Sequence, residues 1–123
     1  MSDYSPFVHL HVHTEYSLLD GAIRVDQMLQ KSRSLGMKSV AVTDHGNMFG
    51  AVHFYEQAVK AGIKPIIGCE TYVAPGDRRD RTPAPDGTPT AYHLILLVMN
   101  EQGYRNLCQL VTLAHLELSL IHI

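Results

Sequence analysis

The run Phe7-Val8-His9-Leu10-His11-Val12-His13 alternates apolar and imidazole side chains with a period of two. Extended backbone turns that period into two faces, with Val8, Leu10 and Val12 on one and His9, His11 and His13 on the other. A strand of a parallel sheet is covered on both faces. Imidazoles directed into a covered interior need partners, and a metal ion satisfies several at once. His11 and His13, two residues apart, project the same way about 7 Å apart along a strand, close enough to bind one or two ions. A pair of solvent-facing histidines on an edge strand is the competing reading, and the apolar opposite face weighs against it. His9 stands one step farther from the strand end and reads as a structural, hydrogen-bonded side chain.

The rest of the chain alternates strands and helices. After a turn-rich link at Ser17-Leu18-Leu19-Asp20-Gly21, residues Val25, Met28, Leu29, Ser32 and Leu35 recur at helical spacing, and Gly36 stands where a helix stops. Ser39-Val40-Ala41-Val42-Thr43 is a short β-branched run that ends in the loop Asp44-His45-Gly46-Asn47. Residues 51–61 predict a second helix with Ala51, Phe54, Tyr55, Ala58 and Val59 on its apolar stripe and Gly62 as its stop. Residues 63–73 predict a third strand. Residues 75–89 are rich in Pro, Gly and charge without apolar periodicity, which predicts a long exposed loop. Residues 92–99 predict a fourth strand, and Asn100 can cap a fourth-unit helix bearing Tyr104, Leu107, Cys108, Leu110 and Val111 on its stripe.

Short apolar strands alternating with helices predict an α/β fold with a parallel sheet, doubly wound or closed into a barrel. A complete eight-unit barrel takes about 250 residues. The four units here, within 123 residues, amount to half of one, and the expected layout is therefore a partial domain over 1–117. Residues 118–123, without charge or turn signal, do not extend the last helix in pattern and are expected to be a non-native tail.

Composition narrows the function. Ten Lys+Arg against 12 Asp+Glu leave a net charge of −2, so bulk electrostatics cannot grip a phosphate backbone. Two cysteines are no disulfide framework and read as reduced thiols. No secretory leader and no apolar stretch of the roughly 18 residues needed for a membrane span is visible. A cytoplasmic chain without membrane attachment is the expectation.

Several further residues could join His11 and His13. Asp44-His45 ends the second strand, the end at which α/β sheets and barrels place their sites. His45 suits a ligand, with Asp44 orienting or capping behind it; a loop cap without metal is the alternative. Asp20 taken alone is a turn residue of Asp20-Gly21. Glu70, inside Ile66-Ile67-Gly68-Cys69-Glu70, is a carboxylate in apolar surroundings that must be paired or metal-bound. Cys69 alternates with it and reads as a small hydrophobe. His93 opens the fourth strand, and in a parallel sheet that is the wrong end for the site, so spacing alone leaves it open. His53 and His115 read as surface or helix-end histidines, and Arg78-Arg79-Asp80-Arg81 as a solvated loop, with contact to a phosphate chain as its alternative. No Gly-rich phosphate loop, Gly-x-Ser-x-Gly elbow or Cys-x-x-Cys pair is present. Histidines and carboxylates at strand ends suit divalent ions that activate water and clamp a phosphate, which points to phosphoester hydrolysis.

These motifs resemble the PHP (polymerase and histidinol phosphatase) domain family, in the form found at the N-terminus of bacterial replicative DNA polymerase alpha subunits. The resemblance rests on the block from Phe7 to Gly21, on Thr43-Asp-His-Gly-Asn-Met-Phe-Gly50, on Ala61-Gly-Ile-Lys-Pro-Ile-Ile-Gly68 and on Gly103-Tyr-Arg-Asn-Leu107. It implies the N-terminal half of a distorted (β/α)7 barrel. It also implies a trinuclear site of Zn2+ and/or Mn2+ held here by His11, His13, Asp20, His45, Glu70 and His93, with Asp44 behind them. Further ligands, a Cys or His and an Asp-x-His pair, would lie beyond residue 123. The implied parent is a DNA-directed DNA polymerase that uses Mg2+ elsewhere, acts on DNA and deoxynucleotides, and works with a sliding clamp and a proofreading subunit. Its PHP domain could add 3′–5′ exonuclease activity, while the isolated fragment is expected to be inactive. A stand-alone phosphoesterase such as a histidinol phosphatase, and a non-catalytic structural module, are the alternatives.

Overall fold

The computed structural model describes residues 6–80, 82, 85–87 and 91–118. Helix α1 (Val25–Ser34) precedes strand β1 (Ser39–Val42), helix α2 (Ala51–Ala61), strand β2 (Lys64–Val73), strand β3 (Tyr92–Leu97) and helix α3 (Glu101–Leu113). Gly36 and Gly62 end α1 and α2 at φ of 70° and 72°, a left-handed conformation that costs glycine no Cβ clash. Asn100 caps α3, its side chain accepting from the Gly103 N–H at 2.9 Å.

β1 and β2 run parallel, Val42 opposite Ile67. The histidine-bearing run lies beside β1 in the same direction, with the N–H groups of Ala41 and Thr43 donating to the carbonyls of His9 and Val12 at 2.9 and 2.8 Å. It is extended but is not a regular strand, which corrects the first predicted strand. Its apolar face is also only partly covered: Val8 and Val12 are half-buried, but Leu10 is exposed.

β3 departs from the parallel expectation. It pairs antiparallel to β2, Tyr92 opposite Val73 and Leu97 opposite Gly68. Among the described residues no helix intervenes between these strands, and without a helical crossover the chain returns in the opposite sense.

The main core joins α1 and α2 to the sheet through Val25, Met28, Leu29, Val40, Val42, Phe54, Ala58 and Ile63. Of the predicted α2 stripe, Ala51, Phe54 and Ala58 are buried, whereas Tyr55 and Val59 are exposed. Leu107 anchors α3, whose predicted stripe member Leu110 is exposed. The backbone continues from α3 into a π-helical turn over Ala114–Leu118, so Leu118 does extend the helical path; residues 119–123 of the predicted tail and Arg81 of the basic cluster lie outside the described residues.

Candidate metal centre

Strand direction assembles the site. The His13 end of the first run, the His45 end of β1, the Glu70 end of β2 and the beginning of antiparallel β3 all meet at one edge of the sheet. His93, which parallel geometry would have placed at the far end, stands opposite Tyr72.

Glu70 is the hub. It is 2% exposed, and its Oε2 lies 2.7 Å from His11 Nε2 and 2.5 Å from His13 Nε2, which are themselves 3.1 Å apart. Its Oε1 bonds His93 Nδ1. Burial pushes the Glu70 carboxyl up, but the hydrogen bonds from His11, His13 and His93 and the nearby His45 outweigh that and hold it down at about 2. Glu70 is therefore an anion at neutral pH. Three lone-pair atoms this close are compatible only with cations or shared protons between them.

His45 builds the neighbouring group. Its ring is tilted by 46° against that of His13, centroids 3.8 Å apart, and its Nδ1 is 3.0 Å from the Tyr72 hydroxyl. Its Nε2 is 2.9 Å from Asp20 Oδ2, yet this buried nitrogen has no partner in hydrogen-bonding geometry. In the tautomer whose Nδ1–H donates to the Tyr72 oxygen, Nε2 presents a lone pair towards a carboxylate, an arrangement that a cation between them would satisfy. The donor atoms fall into two sets, His11–His13–Glu70 and His13–Asp20–His45, each with its atoms within 4.8 Å of one another. All six residues singled out in the sequence thus converge, His93 joining through Glu70. A divalent ion held there would supply Lewis-acid charge and activated water for phosphoester hydrolysis. His11, His13, His45 and Glu70 would hold such an ion, with Asp20, exposed at the rim, beside His45.

Asp44 does not point into this cluster. It is buried and accepts from the Thr14 N–H at 2.6 Å, the Thr14 hydroxyl at 2.8 Å and the Ser17 hydroxyl at 2.7 Å. Ser17 Oγ in turn accepts from the His45 N–H at 3.1 Å. Asp44 thereby ties the turn carrying Asp20 to the strand end carrying His45. Gly21 closes that turn because a Cβ there would fall 1.8 Å from the Thr14 carbonyl oxygen. Cys69, fully buried, has its thiol pushed up to about 12, by burial first and then by the Asp44 charge, so it is a packing group. Tyr72 was missed in the sequence, although it stands two residues after Glu70 and hence on the same face of β2. His9 is exposed, its ring edge-on to Phe7, and it is the His9 carbonyl that bonds the sheet. His53 bonds the Tyr16 hydroxyl at 3.1 Å, and His115 bonds the Val111 carbonyl at 2.9 Å.

The sequence matches the PHP domain family over residues 9–120. The chain belongs to the PHP domain family. Among curated relatives of this PHP domain, the DNA polymerase III subunit alpha of Borreliella burgdorferi is 50% identical over 117 residues, 95% of this chain and 10% of that protein. The subunit of the same name from Treponema pallidum is 54% identical over 111 residues, 90% of this chain and 9% of that protein. The chain thus spans about a tenth of the length of these relatives. Among solved structures, the PHP domain superposes on an amidohydrolase from Chromobacterium violaceum with a TM-score of 0.55 at 21% identity, covering 83% of this chain and 32% of that one. A Bifidobacterium adolescentis protein described as a metal-dependent phosphoesterase gives a TM-score of 0.56 at 18% identity, covering 86% and 34%. These two likenesses carry the fold, an α/β barrel type. Among the described residues, no helix is long and apolar enough to cross a membrane.

Proposed function

We propose that this PHP domain is the opening part of a replicative DNA polymerase alpha subunit, and that its metal centre hydrolyses phosphodiester bonds at the 3′ end of DNA. The observation that carries the first half is the 50–54% identity, over nine-tenths or more of the chain, to DNA polymerase III alpha subunits. The second half is supported by the cluster around Glu70, where every ligand-type side chain faces its neighbours at bonding distance. A purely structural module has no need of a buried His45 nitrogen facing a carboxylate without a hydrogen bond. Three and more imidazoles beside two carboxylates suit Zn2+ or Mn2+. Asp20, His11, His13, His45, Glu70 and His93 are the proposed ligands, with Asp44 holding their loops. Polymerisation, with Mg2+, deoxynucleotides, a sliding clamp and a proofreading subunit, belongs to the rest of the parent protein on this reading, and cytoplasmic residence follows from it.

The test uses the full-length protein on single-stranded DNA labelled at its 5′ end, with Mn2+ or Zn2+ supplied and then removed by chelation. Metal-dependent shortening from the 3′ end, abolished by Glu70→Gln with primer extension retained, is the expected result. Full shortening by the Glu70→Gln protein would overturn the assignment of hydrolysis to this centre.

A further inference from the structure

Next to the Asp20–His45 side of the centre lies a cleft of about 230 Å³, walled by Asp20 and His45 themselves, by Tyr16, and by Leu18, Leu19 and Phe49. The last three are largely exposed, Leu18 82%, Leu19 79% and Phe49 64%. Single exposed apolar side chains are ordinary on protein surfaces. Three stand at the lip of one cleft, on the two loops that also carry Asp20 and His45, and none belongs to the core; the Phe49 ring lies 5.9 Å from the His115 ring, a tilted contact that leaves it largely exposed.

The loops beneath them are tied together. The Asn47 side-chain amide donates to the carbonyls of Tyr16 and His45 at 3.1 and 3.0 Å, and its Oδ1 accepts from the Phe49 N–H at 3.1 Å. Gly50 lets the Tyr16 ring lie against the backbone, since a Cβ there would be 2.4 Å from Tyr16 Cδ2. The apolar lip is thus held at a set distance from the metal-binding side chains, as a preorganised site requires. The cleft falls short of the usual volume for a drug-sized ligand and suits one planar group, stacked on one face. With a net charge of −2, the chain has no general attraction for a polyanion, so apolar stacking at the lip would add a hold on a strand end that bulk charge does not give.

We propose that Phe49, Leu18 and Leu19 form a seat for the terminal base of single-stranded DNA, which sets the adjoining phosphodiester against Asp20 and His45. This rests on the phosphodiesterase reading above and names its substrate as a strand end with an intact, unpaired base. A duplex end keeps its base stacked in the helix and cannot fill the seat without fraying.

The experiment photocross-links the full-length protein to single-stranded DNA ending in 5-iodouracil and, in parallel, measures KM and kcat for 3′ shortening of strands that end in a normal or an abasic residue. The expected cross-link maps to the peptide of residues 39–60 that holds Phe49, is lost in Phe49→Ala and is kept in Phe49→Trp. Phe49→Ala is expected to raise KM for the normal strand about tenfold, equivalent to ~1.4 kcal/mol and in the range of one stacked base, and to leave the abasic strand unaffected. Leu19→Ser gives the same pattern in smaller degree and guards against a fold defect particular to the Phe49 variants. Cross-links confined to other parts of the full-length protein, or equal KM changes on both strands, would overturn the seat. So would loss of another replicase protein from the complex with DNA binding intact, which would make the lip a protein contact. Failure of the hydrolysis reading looks different: no metal-dependent shortening by the wild type, with the Phe49 cross-link still present.

Discussion

Where the Tyr72 oxygen accepts the His45 Nδ1–H, the other ring nitrogen is left free to bind a cation, and Tyr72→Phe removes that acceptor alone. The ring remains, with its edge-on contact to His93 at 4.9 Å, so packing is conserved. What is lost is one 3.0 Å hydrogen bond to His45 Nδ1. The nearest remaining acceptor is Glu70 Oε2 at 3.7 Å, too far for a good bond without rotation of the ring. The imidazole then divides between tautomers, and in one of them Nε2 carries a proton and cannot ligate. Outer partners of metal-bound histidines typically contribute 10–100-fold to affinity, which corresponds to ~1.4–2.7 kcal/mol. The weakening should be confined to the group of His13, Asp20 and His45, because His11, His13 and Glu70 keep all their contacts. Calorimetric titration of the metal-stripped full-length protein with Zn2+ or Mn2+ resolves the two classes of site. One class weakened about tenfold or more, with the other unchanged, is the expected outcome. Affinities within twofold of wild type at both classes would refute the tautomer argument.

Two further outcomes follow from the same geometry. Asp44→Ala leaves the Thr14 N–H and the Thr14 and Ser17 hydroxyls without their buried acceptor. It should cost about 2–4 kcal/mol of local stability, read as lost hydrogen-exchange protection in residues 14–21, and unchanged protection there would contradict the role given to Asp44. Cys69, with its thiol raised from 9.0 to about 12 by burial, should resist alkylation at neutral pH while half-buried Cys108 reacts. Because the folded value is the raised one, its contribution to stability is complete below pH 9 and is lost as the pH climbs towards 12. Peptide mapping after iodoacetamide treatment decides the first point, and Cys69 labelled as fast as Cys108 would refute it.

Much of this protein is written in short-range pattern. Period-two alternation marked the histidine run, and 3.6-residue spacing with terminal glycines marked α1 and α2, because side-chain direction follows directly from local backbone geometry. The ligand-type residues were legible for a related reason: imidazoles and carboxylates among apolar neighbours cannot be left unsatisfied, so their presence in strands announces partners. What the sequence could not carry was direction and distance. Asp20 looked like a turn residue and His93 like a group at the wrong strand end, because neither is close in the chain to Glu70 or His45. Only the antiparallel return of β3 brings His93 to Glu70, and only the Thr14–Ser17–Asp44 network turns Asp20 towards His45. The same holds for Asp44 and Tyr72, whose roles depend on which atom faces which neighbour across 27 or more residues of chain. Local preference thus determined the elements and the inventory of donors. The long-range pairing of strands, whose hydrogen bonds do not depend on which residues they join, decided how those donors converge into one centre.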